Sequence, residues 1–481
     1  MKCVERRFEW ADQLEFARLS GDHNPLHVDA LAARRLLFGE PVVHGIHLLL
    51  WVLEVVTPAM QGMAVSGGRS IRVRFRKPVF IGETVRLKVS DEKAGVLHCA
   101  LCCDETVLMS VLIAVGDALL EKPCALPAPA GALPAGAVPD APLLDQLSGQ
   151  QGALALPADS ASILAARFPA LAAWIGADRV GALALLSMLV GMRVPGLHSL
   201  FAAVTLRIGA RTGGAAPLSR LDYRVTAVST QFRMVRTHAT SAGVDADVEA
   251  FCRPTPGVQS AAAIEAALPA GAFSDRSVLV VGGSRGLGEL AARMTAAGGA
   301  RVVITYVRGA DEARALAQRP GIAATRLDVA ALTDEALDAC FATPVDTLIY
   351  CATPRIFFRR IRPLHADRLS AFMACYVTGF ARVFERFAAQ AAPGARCLYP
   401  SSVAVGQDDP DTVEYSRAKQ AGEALCASLE ALYPQIALHR PRLPRLDTDQ
   451  TAQIGAPQPE DTMACMTGLL AALCAPELQS M

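Results

Sequence analysis

At 481 residues the chain is too long for one ordinary core, and its 46 basic and 46 acidic side chains leave no net field to draw it onto nucleic acid or an anionic membrane. Thirteen cysteines, an odd number scattered from Cys3 to Cys474, exclude a small disulfide framework, so reduced thiols are expected. Residues Met1 to Trp10 carry Lys2, Glu5, Arg6, Arg7 and Glu9 where a signal peptide needs apolar side chains, and no later apolar run is long enough to span a bilayer. A cytoplasmic protein acting on small acyl or keto substrates, with no nucleic-acid or membrane partner, is the expectation.

In chain order, the pattern predicts a helix ending near Ser20, a polar loop, a helix around Ala30 to Phe38 and an apolar helix from about Gly45 to Val56. Strands follow: Arg72 to Arg76 alternates, Pro78 to Gly82 turns, and Thr84 to Val89 extends. In the apolar run Val96 to Cys103, the Cys99-x-x-Cys102 spacing on a strand sends the two thiols to opposite faces, which argues against metal or redox use. Alanine, proline and glycine then dominate, and 122–157 is read as a linker. A middle block (158–252) repeats the order more weakly, with a helical run Gly181 to Met192 and strands Leu200 to Ile208, Leu221 to Val228, Phe232 to Thr240 and Val244 to Phe251. After a second linker (253–274), the block 275–481 alternates strands (Val278 to Val281, Arg301 to Thr305, Thr347 to Tyr350, Arg396 to Tyr399) with helices, as a parallel sheet covered on both faces requires.

Chemistry concentrates first in Phe16 to Asp29 and Pro41 to Ile46. Asp22 and His27 flank a loop holding Asn24 and Pro25, so a carboxylate and an imidazole can converge on one substrate as proton donor and acceptor. Gly45 opens the apolar helix, where free N–H groups and the positive dipole end suit a thioester carbonyl gaining enolate character. His23, His27, His44 and His47 complete no metal-ligand spacing, and Pro25 breaks the helical face that His23 and His27 would need. No metal is expected. The string Ser-Gly-Asp-x-Asn-Pro-x-His-x-Asp, the later His-Gly and the element Phe75-x-x-Pro78-Val-Phe-x-Gly82 resemble the MaoC-like hotdog hydratases and dehydratases, including R-specific enoyl-CoA hydratases. That resemblance, over about Phe16 to Val85, implies reversible addition of water across a 2-enoyl thioester, with Asp22 and His27 as the catalytic pair, Asn24 orienting the loop and the Gly45 amide serving the oxyanion. In dehydration His27 is expected to take the α-proton and Asp22 to help the β-hydroxyl leave. The middle block lacks an Asp-x-x-x-x-His counterpart and is read as a degenerate second hotdog whose His198 is packed rather than catalytic.

In the third block, Val278 to Val281 runs into Gly282-Gly-Ser284-Arg285-Gly286-Leu287-Gly288 and then a helix, an arrangement that lets backbone approach a pyrophosphate. Arg285 and Arg308 stand where a ribose 2′-phosphate could be held, and no acidic residue closes the second strand, so NADP(H) is favoured over NAD(H). Tyr415 and Lys419 share a helical face, where an ammonium could lower a phenol toward neutral pH. Over roughly Arg276 to Thr451 the chain resembles the short-chain dehydrogenase/reductases. The resemblance implies that Gly282, Gly286 and Gly288 bind cofactor, Asp328 lies by the adenine, Ser402 binds the substrate carbonyl, Tyr415 donates the proton, and Lys419 binds ribose while tuning Tyr415. The chain departs from that pattern at Tyr350-Cys-Ala-Thr353, in place of Asn-Asn-Ala-Gly, and at Tyr376, in place of an asparagine.

The expected fold class is therefore multidomain: an α+β double hotdog, with a catalytic domain at 1–121 and a second at 158–252, then an α/β Rossmann domain with a doubly wound parallel sheet. The expected function is a bifunctional 3-ketoacyl thioester reductase and 3-hydroxyacyl thioester dehydratase in fatty-acid- or polyketide-like chain processing, on acyl carrier protein or CoA, with a homodimer through the reductase domain. Two alternatives stand beside it: the catabolic hydratase/dehydrogenase direction, and an acyl-binding hotdog serving a reductase.

Overall fold

The computed structural model describes residues 4–36, 38–60, 69–91, 96–115, 133–134, 136–209, 220–241, 243–357, 364–407 and 409–474. It divides into two compact units, Met1–Thr255 with Gln453–Gly455, and Pro256–Ala452 with Ala456–Met481. Among the described residues no single helix is long and apolar enough to cross a membrane.

In the first unit, strand β1 (Val4–Arg7) leads into helix α1 (Trp10–Ser20), whose start is fixed by the Asp12 carboxylate accepting the Glu9 N–H at 2.8 Å. Two single turns follow, α2 (Pro25–Val28) and α3 (Ala30–Ala33). The helix expected to reach Phe38 stops early because the chain tightens into i→i+3 bonds at Arg34, Arg35 and Leu36 and then turns at Gly39, φ 64°. Helix α4 (Gly45–Met60) is apolar on every side, with Ile46 and Leu48 to Leu53 buried, as befits a helix at the centre of a core.

Strands β2 (Arg69–Phe75), β3 (Thr84–Asp91), β4 (Val96–Cys103) and β5 (Thr106–Val115) follow. Cys99 and Cys102 are both buried, and β4 pairs with β3 without a shift from Ser90 opposite His98 to Arg86 opposite Cys102, so the odd spacing keeps the two side chains on opposite faces. The bulge in the pairing with β5 leaves Leu108 as the extra residue on β5.

The stretch 122–157 is not a linker throughout. Residues 116–132 and 135 lie outside the described chain, but Leu147 is fully buried and β6 (Gln151–Ala155) pairs antiparallel with Arg220 to Arg224. Its alanines and prolines masked a leucine spacing that feeds the core. Helices α5 (Ser160–Arg167), α6 (Pro169–Ile175) and α7 (Ala177–Met188) come next, and a π-turn at Leu189–Arg193 extends the last. Strands β7 (Ser199–Ile208), β8 (Arg220–Ser229), β9 (Met234–Ser241) and β10 (Val244–Cys252) complete the unit.

The ten strands form one sheet in the order β1-β3-β4-β5-β2-β7-β10-β9-β8-β6. Numbered within each half, both halves read 1-3-4-5-2, joined where β2 runs antiparallel to β7 from Arg69 opposite Ile208 to Arg74 opposite Ala203. The central helices α4 and α7 share one apolar cluster with the inner face of this sheet.

The second unit begins inside the expected 253–274 linker, where helix α8 (Ala261–Ala266), capped by the Ser260 hydroxyl, buries Ile264. One apolar side chain among alanines was too weak a signal to announce it. The parallel sheet runs β13-β12-β11-β14-β15-β17, comprising β11 (Ser277–Val281), β12 (Arg301–Tyr306), β13 (Ile322–Arg326), β14 (Thr347–Tyr350), β15 (Ala395–Leu398) and β17 (Ile436–His439). The edge strands β13 and β17 escape the sequence pattern because Ile322-Ala-Ala-Thr-Arg and Ile436-Ala-Leu-His hold few β-branched residues. Helices α8, α9 (Gly286–Ala297), α10 (Ala310–Ala317) and α15 (Thr462–Cys474) share one core cluster. Helices α11 (Asp334–Cys340), α12 (Ala366–Met373), α13 (Phe380–Ala388) and α14 (Val413–Leu432) share another, which makes the sheet doubly wound. A two-residue pairing of β16 (Ser401–Ser402) with β18 (Arg442–Leu443) extends the carboxyl end of the sheet.

Candidate active sites

Helix α1 ends at Gly21, φ 77°, and the turn drops Asp22 into the core. A Cβ at Gly21 would strike the Met188 side chain at 2.3 Å, so the glycine serves both the turn and the close approach. Asp22 is 2% exposed. Its Oδ1 accepts the Asn24 N–H at 3.2 Å and its Oδ2 accepts the Ser187 hydroxyl at 2.6 Å. Asn24 caps α2 by accepting the Leu26 N–H at 3.0 Å, and its amide donates to Gly191 O at 2.8 Å. Asn24 thus ties the loop to the π-turn after α7.

Pro25 starts α2 and brings His27 round to face Asp22. His27 Nδ1 lies 2.8 Å from the Val42 carbonyl, an acceptor only, so Nδ1 carries the ring proton and Nε2 keeps the lone pair. The His44 ring stacks on His27 with centroids 3.9 Å apart. Its Nε2 meets Asp22 O at 3.1 Å and its Nδ1 meets Gln13 Oε1 at 3.0 Å.

Asp22, His27 and His44 bring one oxygen and two ring nitrogens within 4.8 Å of one another. With both His44 nitrogens facing oxygen acceptors, His27 Nε2 is the imidazole nitrogen left uncommitted, which suits proton transfer better than ligation. Burial dominates the electrostatics. It raises the Asp22 carboxyl above its ordinary range against the opposing pull of His27 and Ser187. The same burial lowers His27 against the pull of Asp22, and drives His47 down to about 3. Both members of the pair are pushed toward their neutral forms, an acid that can donate and a base that can accept.

Gly45 is the first residue of α4, whose first-turn N–H groups have no acceptor within the helix. A Cβ there would sit 3.0 Å from the Phe75 ring, so the bare backbone and the aromatic wall go together. The structure brings Asp22, Asn24 and His27 into one cluster and adds residues that the sequence reading missed. Ser187 is one, the single polar side chain among the buried residues from Val180 to Met192, and that isolation was the signal to follow. Gly191 is another, since a Cβ there would lie 2.2 Å from Asp22 Oδ1.

In the second half the helix that answers α4 is α7, and the chain reaches it through α6. The Glu54 carboxylate of α4 accepts the Ala170 and Leu171 N–H groups at 3.0 and 2.8 Å and so seals the start of α6. His198 is half-buried and lowered, first by burial and then by Arg253 and Arg233.

In the second unit β11 runs into the glycine loop. A Cβ on Gly282 (φ 80°) would lie 2.7 Å from the Ala352 backbone, and one on Gly288 would lie 2.2 Å from Gly282 O. A Cβ at Gly286 (φ 59°) would meet nothing within 4 Å. The loop is thus packed tightly behind and open at the helix start, a cradle that fits a dinucleotide pyrophosphate. Ser284 is buried, and Leu287 packs against the α8/α9 cluster.

Arg308 is exposed beyond β12, and Asp328 Oδ1 accepts the Ala330 N–H at 3.0 Å. Arg285 differs from expectation, since its guanidinium is ion-paired with Asp449 at 2.5 Å. That contact joins the glycine loop to the segment after β18.

Tyr415 and Lys419 lie one turn apart on α14. Burial raises the Tyr415 phenol, and a hydrogen bond with Ser402 opposes the rise. The expected lowering of Tyr415 by Lys419 is corrected, because the Lys419 ammonium donates to Pro400 O at 2.6 Å and is directed elsewhere. Burial brings Lys419 itself down to about 8. The departures at 350–353 and 376 form a network of their own. The Tyr350 hydroxyl donates to Cys375 O at 2.6 Å, the Tyr399 hydroxyl donates to Tyr376 O at 3.0 Å, and the Tyr376 and Thr353 hydroxyls are bonded to each other.

Residues 4–100 match the MaoC like domain and residues 276–454 match the short chain dehydrogenase family. The N-terminal region is 34% identical over 90 residues to the (R)-specific enoyl-CoA hydratase of Aeromonas caviae, covering 18% of this chain and 63% of that one. It is 36% identical over 81 residues to the peroxisomal multifunctional enzyme type 2 of Mus musculus, covering 17% and 11%. The chain therefore spans less than two thirds of these relatives' lengths. A short chain dehydrogenase from Burkholderia cenocepacia J2315 in complex with NADP aligns with 24% identity and a TM-score of 0.38, over 44% of this chain and 94% of that one. With the acid–base loop in the first unit and the glycine loop in the second, the chain carries an N-terminal MaoC-like hotdog domain followed by a short-chain dehydrogenase domain.

Proposed function

We propose that the protein reduces 3-ketoacyl thioesters with NADP(H) and dehydrates the resulting 3-hydroxyacyl thioesters to 2-enoyl thioesters. The observation that carries this reading is the pairing of an uncommitted His27 Nε2 with a buried carboxyl at Asp22, both biased to their neutral forms. In dehydration His27 Nε2 takes the α-proton while the thioester oxygen, gaining enolate charge, is held at the start of α4 by the Gly45 N–H. Asp22 gives its proton to the departing β-hydroxyl, which leaves as water. The proton on His27 and the charge on Asp22 then cancel through solvent, and hydration is the reverse. Ser187 and Asn24 fix the carboxyl for both directions.

In the second unit a nicotinamide cofactor, when bound, would supply hydride. The glycine loop from Gly282 to Gly288 would hold its pyrophosphate, and Ser402 and Tyr415 would face the substrate carbonyl, with Tyr415 delivering the proton to the carbonyl oxygen as it gains charge. Arg308, exposed past β12, and Arg285, once released from Asp449, are the cations available to a 2′-phosphate. The similarity to an enoyl-CoA hydratase and a multifunctional enzyme favours CoA or another thioester carrier as the handle.

The test incubates the full chain with 3-ketoacyl thioesters of several lengths on both CoA and acyl carrier protein, with NADPH and then NADH, following absorbance and product mass. Hydroxyacyl and enoyl products formed with NADPH support the reading. Preference for NADH with hydroxyacyl oxidation moves it to the catabolic direction. Acyl binding without water exchange leaves only a binding module.

A further inference from the structure

Lys419 is 6% exposed, and its ammonium donates to a backbone carbonyl rather than pairing with a carboxylate at that contact. Its Nζ stands 3.9 Å from the centre of the Tyr376 ring and 4.8 Å from that of Tyr399, with its donor bond to Pro400 O completing the seat. A cation placed over aromatic faces in a dry site is stabilised by the ring quadrupoles. Both rings are locked. Tyr376 stacks on Phe372 at 5.8 Å, its hydroxyl bonds Thr353, and its carbonyl accepts the Tyr399 hydroxyl. Tyr399 packs on Phe380 at 4.5 Å, and its hydroxyl occupies space that only Gly422 leaves, since a Cβ there would come within 2.0 Å of it.

We infer that Tyr376 is a positioning residue of the reductase site, its ring face with that of Tyr399 holding the Lys419 ammonium where the asparagine of the resembled pattern is missing. The other titratable groups that act on the Lys419 charge are the thiols of Cys351 and Cys375, Cys426 on α14, and Glu423 one turn along α14. Burial pushes all three thiols up to about 12, so they are uncharged at neutral pH. Glu423 is held by Arg442 at 2.8 and 2.7 Å and by the Ser401 hydroxyl at 2.5 Å. After the Pro400 carbonyl, the ring faces are therefore the nearest stabilisation of the charge. Removing them favours the neutral amine, so Lys419 loses its proton at lower pH.

The consequence for turnover rests on the reductase reading, but the titration does not. The chain has six lysines, and Lys419 alone lies beyond Lys122, so the full protein labelled with 13C-lysine gives a spectrum in which Lys419→Arg identifies its signal. In the unaltered protein the Lys419 Hε protons are expected upfield of the other lysines through the ring currents, with a midpoint near the value of about 8 that burial sets. Tyr376→Phe should leave both unchanged. Tyr376→Leu should abolish much of the upfield shift and lower the midpoint by about one pH unit, and the alkaline limb of ketoreduction should move with it. Lysine protons at ordinary shifts in the unaltered protein would overturn the inference without any variant, as would a Tyr376→Leu midpoint equal to that of the parent. Absence of ketoreduction with a normal titration series would instead count against the reductase reading alone.

Discussion

The two halves of the first unit share a strand order and part company at the helix starts. In the first half the approach to α4 is a loop with a buried carboxyl, an uncommitted imidazole nitrogen and a bare glycine. In the second half the corresponding approach is filled by α6, whose own N–H groups are stopped by Glu54. The same architecture thus carries acid–base groups at one end and a structural cap at the other. Yet the second half is not a bystander, because α7 and its π-turn hold the Asp22–Asn24 loop of the first through Ser187 and Gly191. In the proposed dehydration one half supplies the reacting groups and the other their posture.

The comparison breaks most decisively at Asp22. Asp22→Asn should lower the hydration and dehydration rates by roughly 10²- to 10⁴-fold, the usual yield of a positioned acid or base, measured by loss of enoyl thioester absorbance. It should also stabilise. A carboxyl raised above its ordinary value near 3.8 contributes stability that is full below that value and is lost as pH rises through the folded-state pKa. At neutral pH the neutral amide removes that penalty, so the melting temperature of the first unit should rise by a few degrees while activity falls. Retained activity would move the chemistry away from the first half.

Gly191→Ala tests the second half's contribution without touching a reacting group. Its Cβ would sit 2.2 Å from Asp22 Oδ1, and the π-turn carbonyl that receives the Asn24 amide would have to shift with it. A displacement of about 1 Å at an acid can cost roughly 100-fold, so a kcat loss of about 10- to 100-fold with substrate binding little changed is expected.

What the sequence disclosed follows from how local each signal is. Asp22, Asn24 and His27 lie within one short loop whose proline and cap fix its path, so their convergence was legible. Ser187 is 165 positions from Asp22, and nothing near it announces a partner beyond its being the lone hydroxyl in an apolar helix. The same distance rule hid the Arg285–Asp449 pair, which turned an expected phosphate ligand toward a carboxylate. Composition misled in the other direction at 122–157 and 253–274, where alanine and proline read as linker but Leu147, β6 and Ile264 enter cores. Lys419 was placed correctly on α14, but its effect on Tyr415 depends on where a flexible side chain points, and Pro400 O with two aromatic faces decides that.

Ser187→Ala sharpens the comparison more gently. The hydroxyl donates to Asp22 Oδ2 and favours the ionised form, so its removal raises the carboxyl further. Hydration needs Asp22 as the carboxylate, and the acid limb of kcat/KM for hydration should therefore move up by about one pH unit. Well above the limb the rates should converge on those of the parent. A uniform loss at every pH would mean that Ser187 acts on geometry rather than on charge.

The smallest effect is expected at Glu54, on the silent side. Its carboxylate meets the first two N–H groups of α6, those of Ala170 and Leu171, which follow Pro169 and have no acceptor within that helix. Glu54→Ala should cost about 1 kcal/mol of stability, the typical loss of a helix cap, read as a lower melting temperature. Hydration should stay within about twofold of the parent, because the general acid and base lie in the other half. Should Glu54→Ala instead abolish hydration while the fold persists, the second helix start would have to be counted as part of the reacting site, and the division between reacting half and supporting half would fail at the position where it now looks most complete.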